Sequence, residues 1–140
     1  MGWKLLLGVL LVGMTAFAEE IKTIGKGAFG AIDQPLQVVV TNKTQWAELW
    51  ARHTADKLPK PEPPDIDFGK SSIILVTAGR KNTGGYTIEV TDVRRSKEKT
   101  EIVVTSKGPK EGALTIQALT APFHIVEVTR IEGPFTFIKP

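Results

Sequence analysis

The sequence predicts an α+β fold, with one helix packed on a twisted, mostly antiparallel sheet or a partly closed barrel. A single amphipathic helical pattern spans residues 42–53. Short runs of β-branched and apolar residues precede and follow it, as is typical of strands. The links between the later runs are short, which favours antiparallel neighbours. Together these observations indicate one helix covering one sheet.

Residues 1–18 have the pattern of a secretory signal peptide. Lys4 provides the positive flank, Leu5–Val12 a short apolar stretch, and Ala16-Phe17-Ala18 a small-x-small cleavage site. We expect cleavage after Ala18 and a single mature domain over residues 19–140; an uncleaved anchor helix is the alternative. No cysteine follows the apolar stretch, which argues against a lipid anchor. The prediction is an exported protein, periplasmic or extracellular, with no stable membrane anchor after cleavage.

Composition excludes several classes of function. The 140-residue sequence has no cysteine, which removes thiol catalysis and cysteine-based zinc sites and leaves stability to the hydrophobic core. Loss of Lys4 with the signal lowers the formal net charge from +3 to +2. The basic residues are scattered and form no stripe interleaved with aromatic residues. The chain therefore lacks the electrostatic footprint of a nucleic-acid-binding protein.

The mature chain opens with two predicted strands, Ile21–Ile24 and Leu36–Val40. Asn42 then caps the helix, and Gln45 three residues later completes a capping box. The helix has one apolar face, and its two tryptophans, one turn apart, are either core contacts or a stacking platform for a ligand. That face consists of Trp46, Leu49, Trp50 and His53.

Residues 57–67 form a proline-rich connector. Four prolines between Pro59 and Pro64 exclude a helix or an interior strand and favour polyproline II geometry. We interpret the connector as a stiff spacer on the surface; a peptide ligand for an aromatic groove is the alternative. The continuous apolar run within residues 71–78 predicts a strand that is buried on both faces. The other predicted strands are 86–93, 101–105, 114–119, 123–128 and 135–138.

The stretch Lys81–Tyr86 (KNTGGY) separates two of these apolar runs. Its Gly84-Gly85 pair is typical of a β-hairpin turn, or of a place where another group approaches the backbone closely. Two interpretations stay open: a tight turn between core strands, or a protruding binding loop. Tyr86 correspondingly either packs on the core or meets a partner, as an amphipathic ring favoured at interfaces.

Candidate chemical groups are few, and each has a structural explanation. His53 suits the helix C-terminus as a cation, and His124 alternates with core residues of its strand. No HExxH or GxSxG motif occurs, and Asp65 and Asp67 are placed to cap a turn. Ser71, Ser72 and Ser106 lie in no nucleophile motif. We therefore predict no catalytic residue, metal or cofactor, with a hydrolase that uses His124 as the competing class.

Several segments together resemble the PrcB C-terminal domain family, over roughly Val38 to Ile138. The most specific of them is TGGYTI, residues 83–88. The others are WAELW (46–50), Asp67-Phe68, and APFHIV (121–126). The family is exported and named for a non-proteolytic subunit that stabilises a surface protease complex. The resemblance implies a non-catalytic domain that assembles with or stabilises a protein partner, and we expect that partner to be a protease.

The partner-binding residues that we predict are Lys81, Asn82, Thr83, Gly84, Gly85 and Tyr86, with Pro122 and Phe123 as neighbours. In this hypothesis Tyr86 is the anchor and the glycines admit the partner's backbone. An alternative comes from the same loop: residues 82–86 (NTGGY) are similar to the Asn-Pro-Thr-Thr-Gly-Tyr loop of chagasin-like cysteine-protease inhibitors. The proline is absent here, and the other inhibitory loops of that family are not recognisable.

Overall fold

The computed structural model describes residues 19–140. The predicted signal peptide lies outside the described residues. Seven strands and one helix make up the described part. They are β1 (Lys22–Gly27), β2 (Pro35–Val40), α1 (Lys43–His53), β3 (Ser71–Ala78), β4 (Thr87–Arg95), β5 (Thr100–Lys107), β6 (Phe123–Thr129) and β7 (Phe135–Ile138).

The strands form two sheets, and the predicted α+β class is wrong. Sheet I has four antiparallel strands in the order β1-β6-β3-β2, and sheet II has three in the order β4-β5-β7. Residues 19–140 are mostly β, with one helix of 11 residues, and their strands do not close into a barrel. The prediction failed because it treated consecutive strands as neighbours. In the structure the chain leaves sheet I after β3 and enters sheet II at β4.

The larger core lies between the two sheets. Alternate residues of β3, including Ile74 and Val76, meet apolar residues of sheet II such as Val90 and Ile102. The other residues of β3, including Ile73, face the opposite way, towards the helix. β3 is thus buried on both faces as predicted, because it is an interior strand with a second layer on each side.

The helix begins as its sequence predicts. The Asn42 side chain accepts a hydrogen bond from the backbone N–H of Gln45 at 2.9 Å, and the Gln45 side chain in turn accepts one from the backbone N–H of Thr41 at 3.2 Å. Trp46 and Leu49 are buried against sheet I, so the prediction that this face packs on the core is confirmed. The helix therefore covers the outer face of sheet I.

The proline-rich connector lies along the helix and is fixed by the two tryptophans. The indole N–H of Trp46 donates to the carbonyl of Pro64 at 3.0 Å, and that of Trp50 donates to Pro61 at 2.8 Å. Carbonyls three residues apart point the same way in polyproline II geometry, which has three residues per turn. The proline-rich connector is therefore held along the helix by two indole hydrogen bonds from its own chain.

The predicted strand 114–119 is absent. Residues 113–117 have no regular structure, and the chain returns to pairing only at Thr120 and Ala121. The alternation of apolar residues in this segment imitates a strand pattern. Its large apolar side chains do not enter the core. Leu114, Ile116 and Leu119 are all exposed.

Candidate functional site

The Gly84-Gly85 loop lies against a second loop of the chain. We call residues 81–86 the glycine loop and residues 108–120 the second loop. Lys81 and Thr120 exchange two backbone hydrogen bonds, of 2.8 and 2.9 Å. The Gly84 N–H donates to the carbonyl of Ile116 at 2.9 Å, and the Thr120 hydroxyl donates to the carbonyl of Thr83 at 2.9 Å. The glycine loop is therefore no hairpin turn between β3 and β4; it holds the second loop in place.

The two glycines are required by this contact. A Cβ on Gly84 would lie 2.6 Å from Cγ1 of Ile116, which is closer than side-chain atoms approach. Gly85 has a φ of +90°, and a Cβ there would lie 2.9 Å from Cβ of Pro109. The close backbone approach that the sequence indicates is real, and the group that approaches belongs to the chain itself.

Tyr86 is half-buried at the junction of the two loops. A Cβ on Gly108 would lie 3.3 Å from the Tyr86 ring, and Nζ of Lys81 lies 5.1 Å from the ring centroid, within the range of a cation–π contact. Of the other predicted residues in the loop, Asn82 is exposed and Thr83 is half-buried. A partner can therefore reach Asn82 and Gly85, which are exposed, and in part Lys81, Thr83 and Tyr86, whereas Gly84 is buried.

Neither Pro122 nor Phe123 is exposed. Pro122 is fully buried, and Phe123 is partly buried, with its ring 4.3 Å from that of His53 and packed under the glycines of β1. The structure therefore brings Lys81–Tyr86 together with the second loop, and it places Pro122 out of reach of a partner.

The exposed apolar side chains of the second loop were missed in the sequence. Leu114 is fully exposed, and Ile116 and Leu119 are each about three-fifths exposed. Leu119 and the exposed ring of Phe29 line a shallow cleft of about 190 Å³, whose remaining lining includes Asp33, Asp56 and Arg80. The glycine-rich turn before this apolar segment and the proline after it indicate a loop. The alternation of its apolar residues instead predicted a strand. At this cleft, exposed apolar side chains lie beside charged ones.

His124 links the two sheets. It is buried on β6; its Nδ1 accepts a hydrogen bond from the backbone N–H of Val90 on β4 at 2.9 Å, and its Nε2 lies 2.9 Å from the hydroxyl of Thr23 on β1. Because a backbone N–H can only donate, Nδ1 is unprotonated and Nε2 carries the proton of the neutral ring. Nε2 then donates to Thr23 and cannot take a proton from that hydroxyl, so this pair lacks the arrangement of a nucleophile and its base.

The neutral state of His124 agrees with its surroundings. Burial lowers the pKa of His124 below its ordinary value of 6.5, the Lys26 ammonium lowers it further, and the Glu89 carboxylate opposes both. Lys26 on β1 and Glu89 on β4 form an ion pair of 3.1 Å that also crosses the seam between the two sheets, where His124 bonds to β4. The cluster therefore joins β1 and β6 of sheet I to β4 of sheet II.

His53 departs from its prediction as a cation at the helix C-terminus. It is buried beside Trp50 and Phe123, and its Nδ1 has no hydrogen-bond partner. Burial lowers the pKa of His53, as does nearby Lys57, while Asp56 raises it. The residue acts as a neutral packing group. Among residues 19–140, no group of three or more histidine and carboxylate side chains is arranged to hold a metal ion.

Comparison with known families tests the resemblance to the PrcB family. Residues 72–129 match the family model described as PrcB C-terminal. The resemblance to the PrcB family is confirmed over this segment. It runs from β3 to β6 and includes both the glycine loop and the second loop. It covers less than half of the 140 residues and leaves out the helix, whose tryptophans were expected to form part of the likeness.

No curated protein and no solved structure matches the chain. The PrcB family is exported, in agreement with the export predicted for this chain. Within residues 19–140, no helix has the length and apolar character needed to cross a membrane.

Proposed function

We propose that this chain is an exported, non-catalytic protein-binding domain, of the kind that stabilises or assembles with a protease complex in the periplasm or outside the cell. Its contact surface is the second loop, supported by the glycine loop. One observation carries the proposal: three large aliphatic side chains, Leu114, Ile116 and Leu119, stand exposed within six residues of a loop that backbone hydrogen bonds hold in place.

The energetics of such a loop favour binding. Exposed aliphatic side chains gain roughly 25 cal/mol for each Å² of apolar surface that a partner covers. Ordering a free loop on binding costs free energy, and a loop that is already fixed avoids much of that cost. The backbone hydrogen bonds from Lys81 and Gly84 fix the second loop before any partner arrives. The glycine loop therefore supports the binding surface more than it forms the surface.

Phe29 and Leu119 extend the surface to a cleft with a charged edge. Arg80 and Asp33 pair there at 2.6 Å, and both side chains are about half exposed. An apolar centre with a polar rim is the usual organisation of a protein–protein interface. The chagasin-like alternative, in which Lys81–Tyr86 enters a protease cleft, fits less well. Gly84 is buried, and Tyr86 is half-covered, by the second loop.

A charge in the apolar centre is expected to weaken binding. Leu119→Asp places a carboxylate where the partner would bury apolar surface, so we expect at least about a tenfold loss of affinity, the effect of roughly 1.4 kcal/mol. The measurement is quantitative pull-down of binding proteins from cell-envelope extract, with the purified chain as bait. Leu58→Asp is the matched control, because Leu58 is also highly exposed but lies on the proline connector.

The control variant is expected to recover the same proteins as the unmodified chain. If Leu119→Asp also recovers them in the same amounts, the surface is not the binding site and the proposal fails.

A further inference from the structure

One half of strand β5 has a partner strand on only one of its sides. β5 pairs with β4 along its whole length, from Thr100 to Lys107, but with β7 only from Thr100 to Val103. Among residues 19–140, no strand pairs with the second half of β5, Val104–Lys107, on the side where β7 lies. Sheet II therefore ends there in a free edge that is half a strand long.

The backbone groups of Val104 and Ser106 point towards this free side. The N–H of Thr100 donates to the carbonyl of Pro134, just before β7, at 3.0 Å, so the backbone groups of Thr100 face β7. Every second residue of a strand directs its backbone groups to the same side, which places those of Val104 and Ser106 there as well. The neighbouring strand agrees, because Val90, the partner of Val104, donates its N–H to sheet I instead of to β5.

A proline stops β7 from continuing along this edge. The parallel ladder ends at the pair of Val103 and Ile138. The next donor to β5 would be the N–H of Pro140, opposite the carbonyl of Val104, and proline has no N–H. Within the described residues, the carbonyl of Val104 and both backbone groups of Ser106 are thus left for another strand to pair with.

An open cleft of about 440 Å³ lies along the free edge. It is lined by residues 104–106 of β5, by residues 137–140 and, from sheet I, by Gln37 on the edge strand β2. Val104 and Phe137 contribute apolar surface to this lining. The cleft therefore offers space for the side chains of a strand that pairs with β5.

We propose that β5 accepts an extended segment of another protein as an added strand, paired with Val104–Lys107 and with apolar side chains in the cleft. In this mode of recognition, main-chain hydrogen bonds supply affinity and pockets for alternate side chains supply specificity. Lys107 ends the free edge and Lys139 lines the cleft; both are exposed, and none of the lining residues is acidic. By charge complementarity, the segment that fits combines apolar residues with aspartate or glutamate.

The same two lysines disfavour a second copy of this chain as the added strand. Pairing two copies through the free edge would gather Lys107 and Lys139 of both chains along it. Like charges on neighbouring strands are destabilising, and lysines on an edge strand are a known protection against edge-to-edge association. An acidic segment from another protein avoids this repulsion, and its carboxylates gain ion pairs with the lysines.

The test selects peptides from a phage-displayed library of random dodecapeptides on the purified chain, and measures their affinity by fluorescence anisotropy. We expect the recovered peptides to alternate apolar with other residues and to carry acidic ones. The Ser106 amide should become at least about tenfold better protected from hydrogen exchange when a peptide binds, because it gains an acceptor. The Thr105 amide, which points to β4, should change little. Nuclear magnetic resonance resolves the two amides.

Proline at position 106 separates main-chain pairing from side-chain contact. Ser106→Pro removes the N–H at the free edge and no hydrogen bond to β4, so we expect binding to weaken at least about tenfold. Ser106→Ala is the matched control and should bind like the unmodified chain, since its backbone groups remain. Lys107→Glu combined with Lys139→Glu should also weaken the binding of acidic peptides, and both side chains are exposed, so the fold is kept.

The inference is overturned if the library yields no binding peptide, or if Ser106→Pro, shown by thermal unfolding to be folded, binds as tightly as Ser106→Ala. Should Ser106→Pro not fold, the double lysine variant decides, and unchanged binding of acidic peptides overturns the inference. A dimer by light scattering that Ser106→Pro converts to a monomer also overturns it, because the added strand is then a second copy.

This inference and the proposed function fail separately, because they use different surfaces. Leu119→Asp should leave peptide binding at β5 unchanged. If Leu119→Asp abolishes peptide binding, the peptides bind the second loop and the inference about β5 is wrong. If peptides bind at β5 while Leu119→Asp still captures the envelope partner, the proposed function is the one that fails.

Discussion

Replacement of Trp46 by alanine is expected to lower the free energy of unfolding by about 4 kcal/mol, as for other large-to-small changes of buried aromatic residues. Trp46 is almost fully buried between the helix and sheet I, and its ring lies 5.4 Å from that of Trp50. Its loss also leaves the carbonyl of Pro64 without its indole donor. Urea denaturation followed by circular dichroism measures the change.

The conservative variant Trp46→Phe keeps an aromatic ring in the core. It removes the indole N–H and three ring atoms, so we expect a loss of about 2 kcal/mol, from one hydrogen bond and a small cavity. If Trp46→Ala lowers the free energy of unfolding by less than the value expected for Trp46→Phe, Trp46 does not hold the proline connector against the helix.

Replacement of His124 by alanine is expected to lower the free energy of unfolding by about 3 kcal/mol, since it opens a cavity and removes the acceptor of a buried N–H. The unpaired group would be the backbone N–H of Val90 at the seam between the sheets. Thr23→Val, which removes only the hydroxyl at Nε2, should cost less, about 1 kcal/mol. Urea denaturation at pH 8 compares the three chains while His124 is neutral.

The same residue makes stability depend on pH. The pKa of His124 is lowered in the folded protein, so the unfolded chain binds the proton more readily. The contribution of the neutral ring is complete above the ordinary pKa of 6.5 and is lost as the pH falls from there through the lowered pKa. His53 titrates in the same direction. We expect His124→Ala to weaken the dependence of the free energy of unfolding on pH below 6.5, and a His53→Phe variant to weaken it further.

If the free energy of unfolding of His124→Ala falls with decreasing pH as steeply as that of the unmodified chain, this role of His124 is refuted. The charged groups around His124 are Lys26 from β1 and Glu89 from β4, whose ion pair spans the same seam. A Lys26→Met variant should raise the pKa of His124 and narrow the pH range over which stability is lost.

Local structure was predictable from the sequence, because its causes are local. The Asn42 cap, the apolar face of the helix and the continuous apolar run of β3 each depend on residues within one turn or one strand. The division into two sheets was not predictable in this way. β3 pairs with β6, some 50 residues later, and the short link to β4 crosses to another sheet although it looks like a hairpin.

The candidate site was predicted only in part, because only some of its features depend on neighbouring residues in the sequence. The pair Gly84-Gly85 correctly indicated a close approach to the backbone, since glycine alone admits one there. The approaching group, Ile116, lies some 30 residues away in a segment whose alternating pattern predicted a strand. Pairing of distant segments is decided by the tertiary fold, so neither the contact nor the exposure of Leu114 and Leu119 could be read from the pattern.

Coverage of the second loop by a partner protein can be measured by site-specific photocrosslinking in the producing cells. A photoreactive benzoylphenylalanine placed at position 119 lies in the apolar centre of the surface, and one at position 58 is highly accessible but outside it. We expect a discrete crosslinked species of this chain with a second protein at position 119 and none at position 58. If position 119 gives no crosslinked species, or if both positions give the same species, the second loop is not the partner-binding surface.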